Sequence, residues 1–203
     1  FFLEKNKKGN HVLGGKKPLE LELPDDKNLC TPFQYLGTID GTDPFFNWIG
    51  MPKLHIIYPI YECNSGVYLD YTDPIRPKIL NSQTFSNDWY EPEMGEVTRI
   101  EFNETKYKVS NKLQIEKFCD SDELLLCGVP LWYQAPEIPI CPKANKVMKF
   151  ICTINSDASI DVIDKLKSRG LPFSDEYLCF GDHGHLFLFI NPETKILHAN
   201  WQW

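Results

Sequence analysis

Fifteen prolines and twelve glycines divide this 203-residue chain into short apolar runs, and that punctuation leaves little room for long helices. The runs are rich in β-branched and aromatic residues, which fit a pleated, half-buried surface. Strands are therefore expected at Phe33–Ile39, Lys53–Tyr61, Gly66–Tyr71, Thr98–Phe102, Val147–Ile154, Tyr177–Phe180, His185–Ile190 and Ile196–Trp203. Leu186–Ile190 and Ile196–Trp201, joined across Asn191-Pro192-Glu193-Thr194-Lys195, predict a hairpin. Lys53–Tyr61 and Gly66–Tyr71, separated by Glu62-Cys63-Asn64-Ser65, predict its counterpart in the first half. Helical spacing is confined to Ser159–Arg169, where Ile160, Ile163 and Leu166 stand three apart, Asp157 or Ser159 would cap the start and Gly170 would end it. Asn111–Cys119 carries a weaker stripe, and Thr72–Gly95 reads as a long connection whose Phe85, Trp89 and Tyr90 need burial.

A repeat organises these runs. Gly128-Val129-Pro130-Leu131-Trp132-Tyr133-Gln134, then Pro139-Ile140-Cys141-Pro142, then Met148–Ile154, has a weaker earlier copy in Gly14-Gly15-Lys16-Lys17-Pro18, Cys30 and Phe33–Asp40. Setting Thr38 on Thr153 gives an offset of 115 residues and places Tyr35 on Phe150 and Ile39 on Ile154. Repeats set architecture, so the expectation is an α+β fold of mostly antiparallel β-structure, in a duplicated two-lobe arrangement of sheets with one or two short helices. The whole chain, 1–203, then forms one globular domain from lobes spanning roughly 1–95 and 96–203.

A net charge of −7 disfavours phosphate backbones and anionic membranes, whose binding depends on Lys and Arg, and favours a basic protein as partner. Seven cysteines lie scattered at 30, 63, 119, 127, 141, 152 and 179 with no CxxC, the pattern of buried thiols in a reducing cytoplasm rather than of a disulfide scaffold or a zinc site. No stretch approaches the ~18 continuous apolar residues of a membrane span. No metal and no cofactor is expected.

Gly128-x-Pro130-x-Trp132-x-Gln134, Pro139-x-Cys141-Pro142, Met148-x-Phe150 with Ile154, and Phe180-Gly181-Asp182-His183-Gly184-His185 followed by Leu186–Phe189 and a closing Trp resemble the YwqG-like bacterial family, a domain of unknown function. The first set is also similar to the C-terminal region of programmed cell death protein two. The resemblance covers Leu125–Trp203 and implies a duplicated α+β structure dominated by antiparallel sheet. This chain departs from the family line at Cys127, where a first Gly is usual, at Ala144, where a second Cys would complete CPxC, and at Thr153, where Gln is commoner. A lone Cys141 supplies one ligand where about four are needed, so no metal site carries over.

Asp182, His183 and His185 form the nearest approach to an active site, because two imidazoles at i and i+2 of an extended segment share a side and a carboxylate could orient one. A tight Asp-His-Gly turn explains the same residues. Trp132 either offers an aromatic platform or fills a junction between sheets, with Gln134 bonding backbone beside it. Trp201 and Trp203, two apart, share one strand face, either packed on the core or exposed as a partner anchor. Nothing spells out a nucleophile: there is no GxSxG, no phosphate loop and no HExxH, and no catalytic residue is assigned. The expected function is a cytoplasmic, non-enzymatic interaction protein that binds a basic partner, of immunity or chaperone-like type, through Trp132, Gln134, Asp182, His183, His185, Trp201 and Trp203. The alternative is a small-molecule or metal-dependent site at Asp182, His183 and His185.

Overall fold

The computed structural model describes residues 1–26, 29, 31–60, 66–81, 99–110, 124–164, 176–181 and 183–202. Its strands are β1 (Phe2–Lys5), β2 (His11–Gly15), β3 (Gln34–Asp40), β4 (Lys53–Tyr58), β5 (Val67–Asp70), β6 (Lys78–Ile79), β7 (Phe102–Ser110), β8 (Leu124–Leu126), β9 (Lys149–Asn155), β10 (Asp157–Asp161), β11 (Tyr177–Leu178), β12 (His185–Asn191) and β13 (Ile196–Gln202). They build a six-stranded sheet in the order β4-β3-β2-β7-β1-β8, a five-stranded sheet in the order β6-β5-β13-β12-β9, and the pair β10-β11. Every strand pairing is antiparallel. The six-stranded and five-stranded sheets both take strands from both sides of residue 95. Among the described residues the only helical element is a 3₁₀ turn at Asn47–Ile49, closed by Gly50 in the left-handed region.

Alternation along β12 and β13 explains how the five-stranded sheet is buried. Leu186, Leu188, Ile190, Leu197 and Ala199 point into the main core, where they meet Leu3, Leu13, Ile39, Leu54, Ile56 and Tyr107 of the six-stranded sheet. Phe187, Phe189 and Ile196 point the other way into a second, smaller cluster with Cys141 and Met148. Each fully buried aliphatic or aromatic side chain contributes about 1.5–3 kcal/mol. The two sheets also meet edge to edge, because Cys127, just past β8, forms a bridge with Cys152 of β9. Three ladders carry one extra residue: Leu36 lies between the β3–β4 pairs and Ile151 between the β9–β12 pairs, while in the β2–β7 ladder Asn103 and Glu104 stand against Gly14 alone.

The β12–β13 hairpin forms as its sequence predicts. Asn191 Oδ1 accepts the amides of Glu193 and Thr194, and Lys195 closes the turn at a φ of 58°. Its expected counterpart does not form: β4 pairs with β3, whereas β5 crosses to the other sheet and pairs with β13. Both strands are almost wholly buried, so no solvent-facing side marks them as one hairpin, and Tyr71, just past β5, donates from its hydroxyl to His55 O at 2.6 Å.

The helix expected from Ser159 is, as far as Asp161, strand β10. Ile160 and Val162 are buried while Ile163 is exposed, a period of two rather than 3.6. Asp157 Oδ1 accepts both the amide and the hydroxyl of Ser159, the local bond foreseen as a helix cap, but here it bends a strand whose pairing with β11 is irregular. Of the segment expected as a strand at Thr98–Phe102, residue 98 lies outside the described residues, 99–101 are not in a strand, and Phe102 starts the much longer β7, whose run of Glu104, Lys106 and Lys108 hides it from an apolar pattern. Residues 165–169 of the expected helix, the Asn111–Cys119 helix, the residues from 82 to 95 with Phe85, Trp89 and Tyr90, Asp182 and Trp203 lie outside the described residues.

Candidate functional site

Residues 128–148 leave the six-stranded sheet at Gly128, whose φ of 89° opens a sharp exit, and run as a strap along the outer face of the β12–β13 hairpin. Trp132 stacks on Phe187 and Phe189, with ring centroids 4.9 and 5.8 Å apart. It therefore fills the outer face of one sheet, not a junction between two, because the odd-numbered face of β12 is aromatic and, among the described residues, has no second sheet to cover it. Tyr133 lies flat on His185, 4.0 Å between centroids and 2° between planes. Partial burial raises the Tyr133 phenol above its ordinary pKa.

Gln134 is exposed and contributes its backbone: its N–H donates to Gln202 Oε1 at 3.3 Å, and Gln202 Nε2 donates to Ala135 O at 3.0 Å. The buried amide that clamps backbone is thus Gln202, on the strand, and not Gln134. Further along, Asn200 Nδ2 donates to the Glu137 carboxylate, Cys141 Sγ lies 3.2 Å from Thr194 Oγ1, and Lys143 Nζ reaches Asp70 Oδ2 at 2.7 Å. Burial pushes the Asp70 carboxyl up, but Lys143 and the Thr72 hydroxyl and amide outweigh it and hold it below the ordinary range. The far end closes on itself in a small knuckle: Ile140 bridges Val147, and Cys141 N–H donates to Lys146 O.

The Phe180–Gly184 segment is a tight turn. Gly184 N–H donates to Phe180 O at 2.7 Å, and Ser156 Oγ ties both arms by accepting from Phe180 N–H and donating to Gly184 O. Gly181 adopts a φ of 57° under the Trp201 ring, which would stand 2.2 Å from any Cβ added there. That contact fixes Trp201 on the main-core side of β13, half-buried. His183 takes a left-handed φ of 57° and is not in the extended segment that would align it with His185. The two imidazoles diverge. His183 faces the Tyr177 hydroxyl at 3.2 Å, while His185 donates from Nδ1 to Asn155 Oδ1 at 2.9 Å. Among the described residues no three His, Cys, Asp or Glu side chains converge as a metal site would require.

Of the residues singled out in sequence, Trp132, Gln134 and His185 come together at one end of the five-stranded sheet, Trp201 lies on the opposite face, and His183 sits on the turn beyond. Asn200, Gln202 and the Lys143–Asp70 pair were not foreseen. The apolar alternation Val129, Leu131, Tyr133 inside a proline-rich segment was the available signal for an element with two different sides. Histidines without chain neighbours of note find partners only through the fold. Thr38 Oγ1 lies 2.9 Å from His55 Nδ1 and 2.7 Å from Tyr35 OH, and His11 accepts from Asp40 N–H. No family model, curated protein or solved structure matches this chain.

Proposed function

We propose that this protein is a non-enzymatic interaction module whose docking surface is the outer side of the strap. The observation that carries this reading is the distribution of exposed apolar side chains. Among the described residues nine large hydrophobic side chains stand exposed, and Val129, Leu131, Tyr133, Ile138, Ile140 and Val147, six of them, belong to the strap. Apolar exposure concentrated in one segment marks a contact site, whereas scattered single residues do not. Trp132, Gln202 and Lys143 pin the underside, so docking would not have to order the segment first.

The overall charge of −7 selects a basic protein as partner, since complementary charge speeds encounter and rejects acidic competitors. The reading is of a cytoplasmic protein that covers a basic client carrying an apolar ridge, in the manner of an immunity protein masking a toxin or of a chaperone-like holder. Gly128, Pro130, Trp132, Gln134 and Cys141, which carry much of the likeness to the YwqG-like family, all lie in the strap. Among the described residues no helix is long and apolar enough to cross a membrane.

The reading includes a duplicated, α+β origin for the two lobes. Strands β3 and β9 begin and end 115 residues apart and are bulged at Leu36 and Ile151, which differ by the same offset. The run β3-β2-β7-β1-β8, extended to β9 by the cysteine bridge, is palindromic if β1 matches β7, β2 matches β8 and β3 matches β9. Gly14 and Gly128, at the ends of the matched β2 and β8 segments, both have positive φ.

The test is affinity capture from the native host at about 50 and about 500 mM salt, with wild type beside Val129→Ser/Leu131→Ser/Ile138→Ser. Basic proteins are expected on wild type at low salt, reduced at high salt, and at least tenfold depleted on the triple variant, whose melting temperature stays unchanged. Equal capture by the variant, or no basic protein at low salt, overturns the reading.

A further inference from the structure

We propose that Cys127 and Cys152 form a cross-linking site, an intramolecular disulfide that closes the base of the strap and staples the six-stranded sheet to the five-stranded one. The two residues face each other as a bridge pair in antiparallel register. Directly opposed residues in such a pair stand ~4.5 or ~5.5 Å apart at Cα, depending on their place in the hydrogen-bond pattern, and both separations fall within the ~4.4–6.8 Å span of disulfides. Their side chains lie on one side of the pair, both buried in the main core, where the Cys127 thiol donates to Leu125 O at 3.7 Å. Cys141 and Cys179 lack this arrangement: the first lies against Thr194 and the second donates to Gly181 O. A small void lined by Leu125, Cys152 and Ile154 adjoins the Cys152 side of the pair.

The oxidant is a low-molecular-weight disulfide. One cysteine thiolate attacks a sulfur of that reagent, forming a mixed disulfide and expelling one small thiolate. The second cysteine thiolate then attacks the protein sulfur and expels the other. Two electrons leave the pair, the reagent becomes two thiols, and the two cysteine protons end on them. Burial, then the neighbouring Cys152 thiol, holds the Cys127 thiol well above its ordinary pKa, so the reaction is slow at neutral pH. Access to the pair comes through β8, a three-residue strand at the sheet edge. The closed ring runs from 127 to 152 and contains the whole strap. The cross-link stands whether or not the strap binds a protein.

The full chain is incubated at about pH 8.5 with oxidised glutathione, alkylated and digested without reduction at Lys, Arg and Glu. The fragment 124–137 holds Cys127 as its single cysteine, and 150–165 holds Cys152. The expected product is these two fragments linked, with free thiols of the denatured chain reduced by two and the melting midpoint raised by roughly 5–10 °C. Cys127→Ser and Cys152→Ser each abolish the linked fragment and the rise. Recovery of both fragments alkylated, or as glutathione adducts, or linked to other cysteines, overturns the proposal. The mapping on wild type alone decides this even if a variant fails to fold.

Discussion

The two faces of the five-stranded sheet are both apolar, yet they are closed in different ways. The inner face meets a whole second sheet, and Leu186, Leu188 and Leu197 are fully shielded. The outer face carries Phe187 and Phe189 and is closed by a single irregular strap. A sheet presents many apolar groups on both of its sides and buries both at once. A strap has too little width for that, so whatever it places inward as Trp132 it balances outward with Val129, Leu131 and Ile138. The exposed apolar surface of this protein is thus the consequence of covering an aromatic sheet face with one segment of chain.

Substitutions on either side of the sheet sharpen the contrast. Leu188→Ala on the inner face is expected to cost about 4 kcal/mol, because transfer free energy and a cavity add where two sheets cannot collapse. Chemical denaturation measures it. A cost below about 1 kcal/mol would show that the inter-sheet core is loosely packed.

Acid titration probes the outer face. His198 is buried against Tyr68, 4.2 Å between ring centroids, and burial lowers its pKa to about 4. The unfolded chain takes up a proton near pH 6.5 that the folded chain refuses until about pH 4. Stability is therefore complete above pH 6.5, falls across that window and levels off below pH 4, with a total loss of about 3 kcal/mol. Burial lowers His11 and His55 in the same sense. Melting curves of His198→Gln should show a shallower decline across the window; an unchanged slope would place the titration elsewhere.

Trp132→Ala removes the centre of the strap's underside and is expected to cost about 2 kcal/mol, less than an inner-face leucine, since the ring is half-buried. A cost equal to that of Leu188→Ala would make the strap part of the core and not its cover. Proteolysis within 128–148 should accelerate in this variant while the sheets stay intact. Lys143→Ala is the smallest change, about 0.5 kcal/mol, because the lysine is half exposed and its pair with Asp70 is screened. Its effect on melting should vanish at about 1 M salt.

Much of the strand layout was legible because short β-branched and aromatic runs between prolines and glycines permit little else: β3, β4, β5, β9, β12 and β13 lie within one or a few residues of the expected bounds. The strands β1 and β7 escaped notice, since Glu4, Lys106 and Lys108 interrupt their apolar pattern on faces that meet solvent. Ser159–Asp161 misled because a spacing of three between Ile160 and Ile163 carries no weight when Val162 is the residue that packs. Of the site, Trp132 was visible as an aromatic that needed cover. Gln202 was not, because nothing in its own neighbourhood shows that its amide meets backbone some seventy residues earlier.

The sequence by itself determined that this chain is built from short antiparallel strands, that its β12–β13 hairpin turns at Asn191–Lys195, and that its surface is acidic, because each of these rests on local residue chemistry. Only the tertiary structure decided that β4 and β5 part company between two sheets, that His183 and His185 turn to different partners, and that Cys127 meets Cys152. Those are matters of long-range pairing. They follow from which faces must be buried together, and no local pattern of residues records that.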